Sequence, residues 1–318
     1  MANNSLKEYE LNHDDLIRED SFKVVGEKKD SQDLVSRPQI SMAKESWLRL
    51  TKNKGAILSL FILAILIVLA IVGPYMNDYT YEQTDYDQVF QKPNNEHWLG
   101  TDRFGRDQWT RVWEGTRISL YIALLATALD LMIGVAYGSI SALIGGRVDN
   151  VMQRVIEVLV GIPNLILIIL LIMLMRPGIM TITIAMVITG WVNMARLVRS
   201  QVFKLKTQEF ILASRALGAS NSRLIKEHFI PNTLGLIIVN MMFTIPAAIF
   251  TEAFLSFIGL GLQEPLASLG VLINDGFQAM RNHFYLLLFP ALVIVALMVC
   301  FNLLADGLRD ALDPKMRK

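Results

Sequence analysis

The run Gly100-Thr-Asp-Arg-Phe-Gly105-Arg106-Asp107 is the first place where residue types and spacing could do chemistry, since its two glycines have the separation of a phosphate-binding loop. Arg106-Asp107 stands where such a loop needs Lys-Ser/Thr. Without that lysine to reach the outer phosphates and that hydroxyl to hold magnesium, the glycines alone are a weak signal. Other chemistry is equally thin. The chain has one cysteine, Cys300, and its four histidines, His13, His97, His228 and His283, are far apart. That excludes an intrachain disulfide framework and a multi-cysteine zinc site, and it offers no metal-ligand spacing. No His-Glu-x-x-His or Gly-x-Ser-x-Gly motif is present, so no catalytic, cofactor-binding or metal-binding residue is assigned.

Two acids stand apart because they fall inside long apolar stretches, where a charge is costly and tends to be functional. Asp130 sits about midway along its stretch and reads either as a site for a substrate amine or proton, or as a carboxyl hydrogen-bonded in a helix bundle. The packing role is preferred, since a lone acid without a basic partner makes a poor relay. Glu252 lies roughly 27 Å along a helix from Leu234 at 1.5 Å per residue. That places it near a membrane surface, where an interfacial or loop-anchoring role weighs at least as much as contact with a ligand.

The elements that must position these residues are membrane helices. Of 318 residues 53% are apolar and 19% charged, and the mean hydropathy is +0.41. Six apolar segments run approximately over 56–72, 120–144, 156–175, 179–194, 234–258 and 285–304. About 20 helical residues cross a hydrocarbon core, so each segment spans or nearly does, the fourth being the weakest. The runs are apolar on both parities and too long for barrel strands. The expectation is an all-α, polytopic membrane protein with six transmembrane helices.

Charge gives the sidedness. Arg37, Lys44, Arg49, Lys52 and Lys54 precede the first span against one acid, Glu45. Between the fourth and fifth spans lie Arg196, Arg199, Lys204, Lys206, Arg215, Arg223 and Lys226 against Glu209 and Glu227. On the opposite side, residues 73–117 hold eight acids and five bases, and residues 259–284 have Arg281 as their one base. Both termini are therefore expected in the cytoplasm, with Arg309, Lys315, Arg317 and Lys318 agreeing at the C-terminus. Residues 1–43 read as a polar, disordered tail without a signal peptide. The net charge of +1 conceals this partition and gives no support to nucleic-acid binding.

The connection at about 207–231 is polar yet patterned. Ile211, Ala213-Ser214 and Leu217, then Leu224, Ile225 and Phe229, suggest two short amphipathic helices broken at Gly218. One face of such a pair can dock in a partner's groove. Gly134 and Gly138 share a helix face that another helix can approach closely. Pro163 and Pro246 remove amide donors within the third and fifth spans, where kinks are expected.

Ala213-Ser214, Gly218 and Ile230-Pro231 resemble the coupling loop of importer-type ABC permeases, whose pattern is Glu-Ala-Ala, three residues, Gly, nine residues, Ile-x-Leu-Pro. Leu212, Ser214, His228 and Ile230 depart from it. His97-Trp-Leu-Gly-Thr-Asp-Arg-Phe-Gly-Arg-Asp107, Gly145-Gly-Arg-Val-Asp149, Leu255-Ser-Phe-Ile-Gly-Leu-Gly261 and Phe301-Asn-Leu-Leu-Ala-Asp-Gly-Leu-Arg-Asp-Ala-Leu-Asp-Pro314 resemble the C-type permeases of dipeptide and oligopeptide importers. Leu269 replaces a tryptophan usual there, and Asp130 is unusual. The resemblance implies a type I ABC importer permease fold. An N-terminal permease segment with the first span would occupy residues 44–95, an extracytoplasmic loop 96–115, and a five-helix core 116–318.

The resemblance also implies partners in the bacterial cytoplasmic membrane. These are a homologous B-type permease, two cytoplasmic ATPases that bind ATP and magnesium, and an extracytoplasmic peptide-binding protein. The coupling residues would be Ala213, Ser214, Gly218, Ala219, Ile230 and Pro231. A nickel or other small-solute permease of the same family is the nearer alternative. A secondary transporter is the more distant one, and the sequence shows neither the inverted repeats nor the paired intramembrane charges expected of it.

Overall fold

A computed structural model describes residues 42–175 and 178–312. Residues 1–41 of the expected tail 1–43, and Lys315, Arg317 and Lys318 at the other end, lie outside the described residues, while the tail's last two residues, Met42 and Ala43, begin a helix. The described helices are α1 (Met42–Leu50), α2 (Lys54–Val72), α3 (Gln108–Ile144), α4 (Gly146–Gly161), α5 (Asn164–Leu174), α6 (Ile179–Lys206), α7 (Glu209–Ala216), α8 (Asn221–Arg223), α9 (Ile230–Phe257), α10 (Leu269–Ala279) and α11 (Tyr285–Leu312). A π-helical stretch, Leu224–Phe229, joins α8 to α9, so Asn221–Phe257 is one rod of 37 residues. Pro231 follows that stretch after one residue, Ile230. Proline has no N–H to continue the regular ladder, which suits a locally widened turn.

Five helices, α2, α3, α6, α11 and the α8–α9 rod, are long and apolar enough to cross a membrane. The expected third span is instead a pair, α4 and α5, bent by 80° at Ile162-Pro163. Six crossings result if that pair counts as one. Pro163 disfavours helical geometry at Ile162, which is extended at φ −94°, ψ 128°. Pro246 behaves otherwise: α9 continues through it without a break. One lost hydrogen bond is tolerable in a 28-residue helix whose proline is buried among its neighbours. The fourth segment, weakest by composition, is a 28-residue helix. It continues past Met194 because Arg199 is paired inside the protein.

Local chemistry sets the helix starts. Asn53, Asp107 and Ser268 cap α2, α3 and α10 by accepting from the amides of Ala56, Thr110 and Val271. The Asp107 cap begins α3 at Gln108, so the last eight residues of the expected loop 96–115 are helical.

The tightest packing joins α3 to α6. A Cβ on Gly134 would lie 2.6 Å from Met194 Cβ, and one on Gly138 2.4 Å from the carbonyl oxygen of Ala195. The two glycines let the helix backbones meet, as their spacing suggested. The main core gathers α2, α3, α6, α9 and α11, with Ile122, Ile182, Ile249 and Leu297 fully buried. A second cluster collects Val198, Val202, Ile211, Leu224 and Phe229 near the α6–α9 connection. The bundle thus has a basic end carrying α7 and α8 and an acidic end carrying residues 73–107 and α10.

Candidate functional site

At the basic end, Gly218 has φ +83°, a conformation that L side chains rarely adopt, and it turns the chain between α7 and α8. Ser220 caps the second helix by accepting from the amide of Arg223. Ile211, Leu224 and Phe229 turn inward and are buried, with Ala219, Ile225 and Ile230 packed beside them. Phe210, Leu212 and above all Leu217, 90% exposed, turn outward. Ala213, Gly218 and Pro231 are exposed with them, and Ser214 is half-buried. The sequence pattern put Leu217 in one apolar set with Ile211. The structure separates an anchoring face from a free one, because Leu217 follows the last turn of α7 rather than continuing its helical face.

Two departures from the resembled pattern meet here: Ser214 Oγ lies 3.2 Å from His228 Nε2. A polar pair joins α7 to the π-helical stretch where the pattern has apolar side chains.

This surface is tied to the spans behind it. Arg199 of α6 donates from Nε and from an Nη to the two carboxylate oxygens of Asp149 in α4, both at 2.6 Å. Ser141 of α3 donates to the same carboxylate at 2.5 Å. Lys206 Nζ donates to the carbonyls of Ala142 and Leu143 at 3.1 and 3.0 Å, capping the carbonyl end of α3. A bidentate arginine fixes orientation as well as distance. These bonds join α6 to α3 and α4, and Ile211 of α7 packs in the same apolar cluster as Val198 and Val202 of α6.

At the acidic end, the glycine-rich run forms a closed knot. Asp102 Oδ1 accepts from the amides of Phe104 and Arg106, and its Oδ2 accepts from Arg106 Nε at 2.6 Å. The amides that a nucleotide-binding loop would offer to phosphate are thus occupied by the chain's own carboxylate. Gly100 and Gly105 both have positive φ. A Cβ on Gly105 would fall 1.7 Å from the carbonyl oxygen of Asp85. His97 bridges Asp107 and Gln88 at 2.8 and 2.7 Å. Arg103 and Arg106 reach Glu264, and Tyr285 donates to the carbonyls of Gln91 and Thr101. Glu264 is held below the usual carboxylate range: its partial burial acts against this, and the bonds from Arg103 and charge of Arg106 outweigh it. Gly105→Ala is expected to cost more than ~2 kcal/mol, because strain and a backbone clash combine. Gly146→Ala, with positive φ but open space around it, is expected to cost about 1 kcal/mol from strain alone. Thermal unfolding of the two purified variants checks the order.

The two intramembrane acids have different surroundings. Glu252 of α9 is fully buried and accepts from Ser119 Oγ at 2.7 Å and Ser256 Oγ at 2.8 Å. Ser119 Oγ in turn accepts from the amide of Leu269 at 3.1 Å. Glu252 thereby joins the start of α10 to α3 and α9 through Ser119. Ser268 Oγ lies 3.4 Å from Ser256 Oγ, and sequence reasoning missed Ser119 and Ser268 because no local pattern connects them to α9.

Asp130 has no such partners. Its Oδ1 is buried without a hydrogen bond among the described residues, so the hydrogen-bonded packing role preferred for it is not what the structure shows. It borders a cavity of about 320 Å³ between α3, α5, α6 and α9, together with Thr127, Asn164, Asn193, Asn240 and Thr244. A Cβ on Gly190 would lie 2.3 Å from Asp130 Oδ2, so the glycine makes room for the carboxylate.

Two family models match the chain. The model described as binding-protein-dependent transport system inner membrane component covers residues 134–318, and the N-terminal TM domain of oligopeptide transport permease C covers residues 41–93. The dipeptide transport system permease protein DppC of Bacillus subtilis (strain 168) is 47% identical over 95% of both chains. The oligopeptide transport system permease protein OppC of the same organism is 48% identical over 89% of this chain and 93% of its own. OppC of Escherichia coli (strain K12) is 40% identical over 87% and 92%. Among solved structures, the inward-facing MetNI methionine ABC transporter is similar in fold. Its TM-score is 0.52 at 19% identity, covering 63% of this chain and 95% of that one.

Proposed function

The chain belongs to the family of binding-protein-dependent transport system inner membrane components, and on that premise we propose that it is the permease subunit of an ATP-driven importer of dipeptides or oligopeptides. An extracytoplasmic binding protein delivers the peptide. A homologous B-type permease completes the path, and two cytoplasmic ATPases bind ATP and magnesium and hydrolyse the nucleotide. The chain itself is a multi-pass membrane protein. Its basic end faces the cytoplasm by the positive-inside rule, with both termini on that side.

The observation that carries this reading is the free apolar face of α7 and its turn, Phe210, Leu212 and Leu217, on a loop anchored through Ile211, Leu224 and Phe229. A short helix with such a face suits a groove in a partner. Closure of the ATPase pair would move that groove. The Asp149–Arg199 and Lys206 bonds would pass the motion to α3, α4 and α6, exchanging inward- and outward-facing states.

The test is ATP-dependent uptake of a labelled tripeptide into proteoliposomes holding the whole importer, with and without this chain. Uptake is expected only with it. Equal uptake in both preparations would sink the reading.

A further inference from the structure

The polar cavity around Asp130 lies deep in the bundle. Asp130 is about 21 Å along α3 from Ile144, and Asn193 about 21 Å along α6 from Ile179, at 1.5 Å per residue. Asn164 and Asn193 at its rim are exposed. Polar groups at this depth do not face lipid, so the rim faces either a neighbouring subunit or a water-filled path.

Two unpaired groups point into the same region. Asp130 is 7% exposed and Thr127 3%, and each has a buried oxygen without a hydrogen bond among the described residues. Three residues apart, they lie on one face of α3. No lysine, arginine or histidine is among the described residues lining the cavity. A carboxylate, a hydroxyl and several amide oxygens without a cation form an acceptor-rich set. An alkylammonium matches it, with three N–H donors and a positive charge. The volume, about 320 Å³, is at the lower end of small-ligand sites of about 300–1,000 Å³.

We propose that Asp130 and Thr127, with the amides of Asn193 and Asn240, form a binding site for a primary ammonium group of the transported peptide. This deepens the peptide reading and rests on it. The group is either the peptide's amino terminus or a lysine side chain. The notch at Gly190 lets the carboxylate reach the cavity.

The test uses the assembled importer in proteoliposomes and the variants Asp130→Asn, Asp130→Glu and Thr127→Val. One probe is trialanine, whose ammonium is at the amino terminus. The other is an amino-terminally acetylated tripeptide with one lysine. Variant-to-wild-type uptake is taken peptide by peptide, so the binding protein's own preference cancels. Asp130→Asn is expected to lower uptake at least about tenfold, the worth of one charge-assisted hydrogen bond. Asp130→Glu retains most of it, and Thr127→Val, which leaves the carboxylate in place, loses severalfold. Loss confined to trialanine assigns the amino terminus, and loss confined to the other peptide assigns lysine. Unchanged uptake of both overturns the site while leaving the peptide reading intact. A wild-type importer that moves neither peptide overturns both.

Discussion

Leu217→Asp is expected to abolish peptide uptake by the assembled importer while leaving the permease itself as stable as before. Leu217 is 90% exposed, and Gly218 beside it has open space around its Cα. Removing the leucine therefore costs this chain nothing measurable. If its side chain is buried in an ATPase groove, the loss of a leucine is worth about 1.5–3 kcal/mol. An unpaired carboxylate forced into the groove adds several kcal/mol, since buried charges need partners. At 1.4 kcal/mol per tenfold, uptake should fall at least about 100-fold. Leu217→Met, similar in volume and polarity, should retain most of it. Co-purification of the ATPases, thermal unfolding and uptake are the three readouts. Normal uptake by Leu217→Asp would remove the apolar turn from the coupling surface.

Gly138→Leu is expected to fail at an earlier stage, in folding. The new Cβ would lie 2.4 Å from the carbonyl oxygen of Ala195 and 2.9 Å from the amide nitrogen of Arg199. Both are backbone atoms of α6 and cannot rotate away. The helices must separate, which removes packing over their longest contact and shifts Arg199 against Asp149. Overpacking alone costs about 1–3 kcal/mol, and disturbing the ion pair adds to it, so the unfolding midpoint should fall by roughly 5–10 °C or no folded complex should form. Gly161→Leu is the control, since nothing lies within 4 Å of its added Cβ, and its effect should stay within about 0.5 kcal/mol. Equal midpoints for the two variants would show that the α3–α6 approach is not held by this glycine.

Features governed by neighbouring residues were open to sequence reasoning. Apolar length located the spans, clustered Lys and Arg the basic end, and the amphipathic pattern around Gly218 the short helix α7 and the break after it, while the second short helix it suggested is the first part of the Asn221–Phe257 rod. Depth alone placed Glu252 near the acidic end. Features governed by distant residues were not. Ser119 lies far from Glu252 in the chain, and serine is too common to single out. The Asp130 cavity draws on α3, α5, α6 and α9 through asparagines and threonines that carry no signal by themselves. The break after α4 was half visible: Pro163 marked the place, but only packing decides that it bends the chain by 80° while Pro246 leaves α9 continuous. Composition undervalued α6 for a related reason, because the charge of Arg199 is satisfied by Asp149 from another helix.

The knot at the acidic end has a consequence for the order of synthesis. Its residues, 85–107, leave the ribosome early, directly after the first span. Glu264, which receives Arg103 and Arg106, and Tyr285, which holds Gln91 and Thr101, are made about 160 to 190 residues later. Until they arrive, a segment rich in ionisable groups has part of its bonding unfinished. The knot therefore closes only after α10 and the start of α11 have been delivered. A chain ending before Tyr285 would keep the bonds within residues 88–107 but lack those that Glu264 and Tyr285 add.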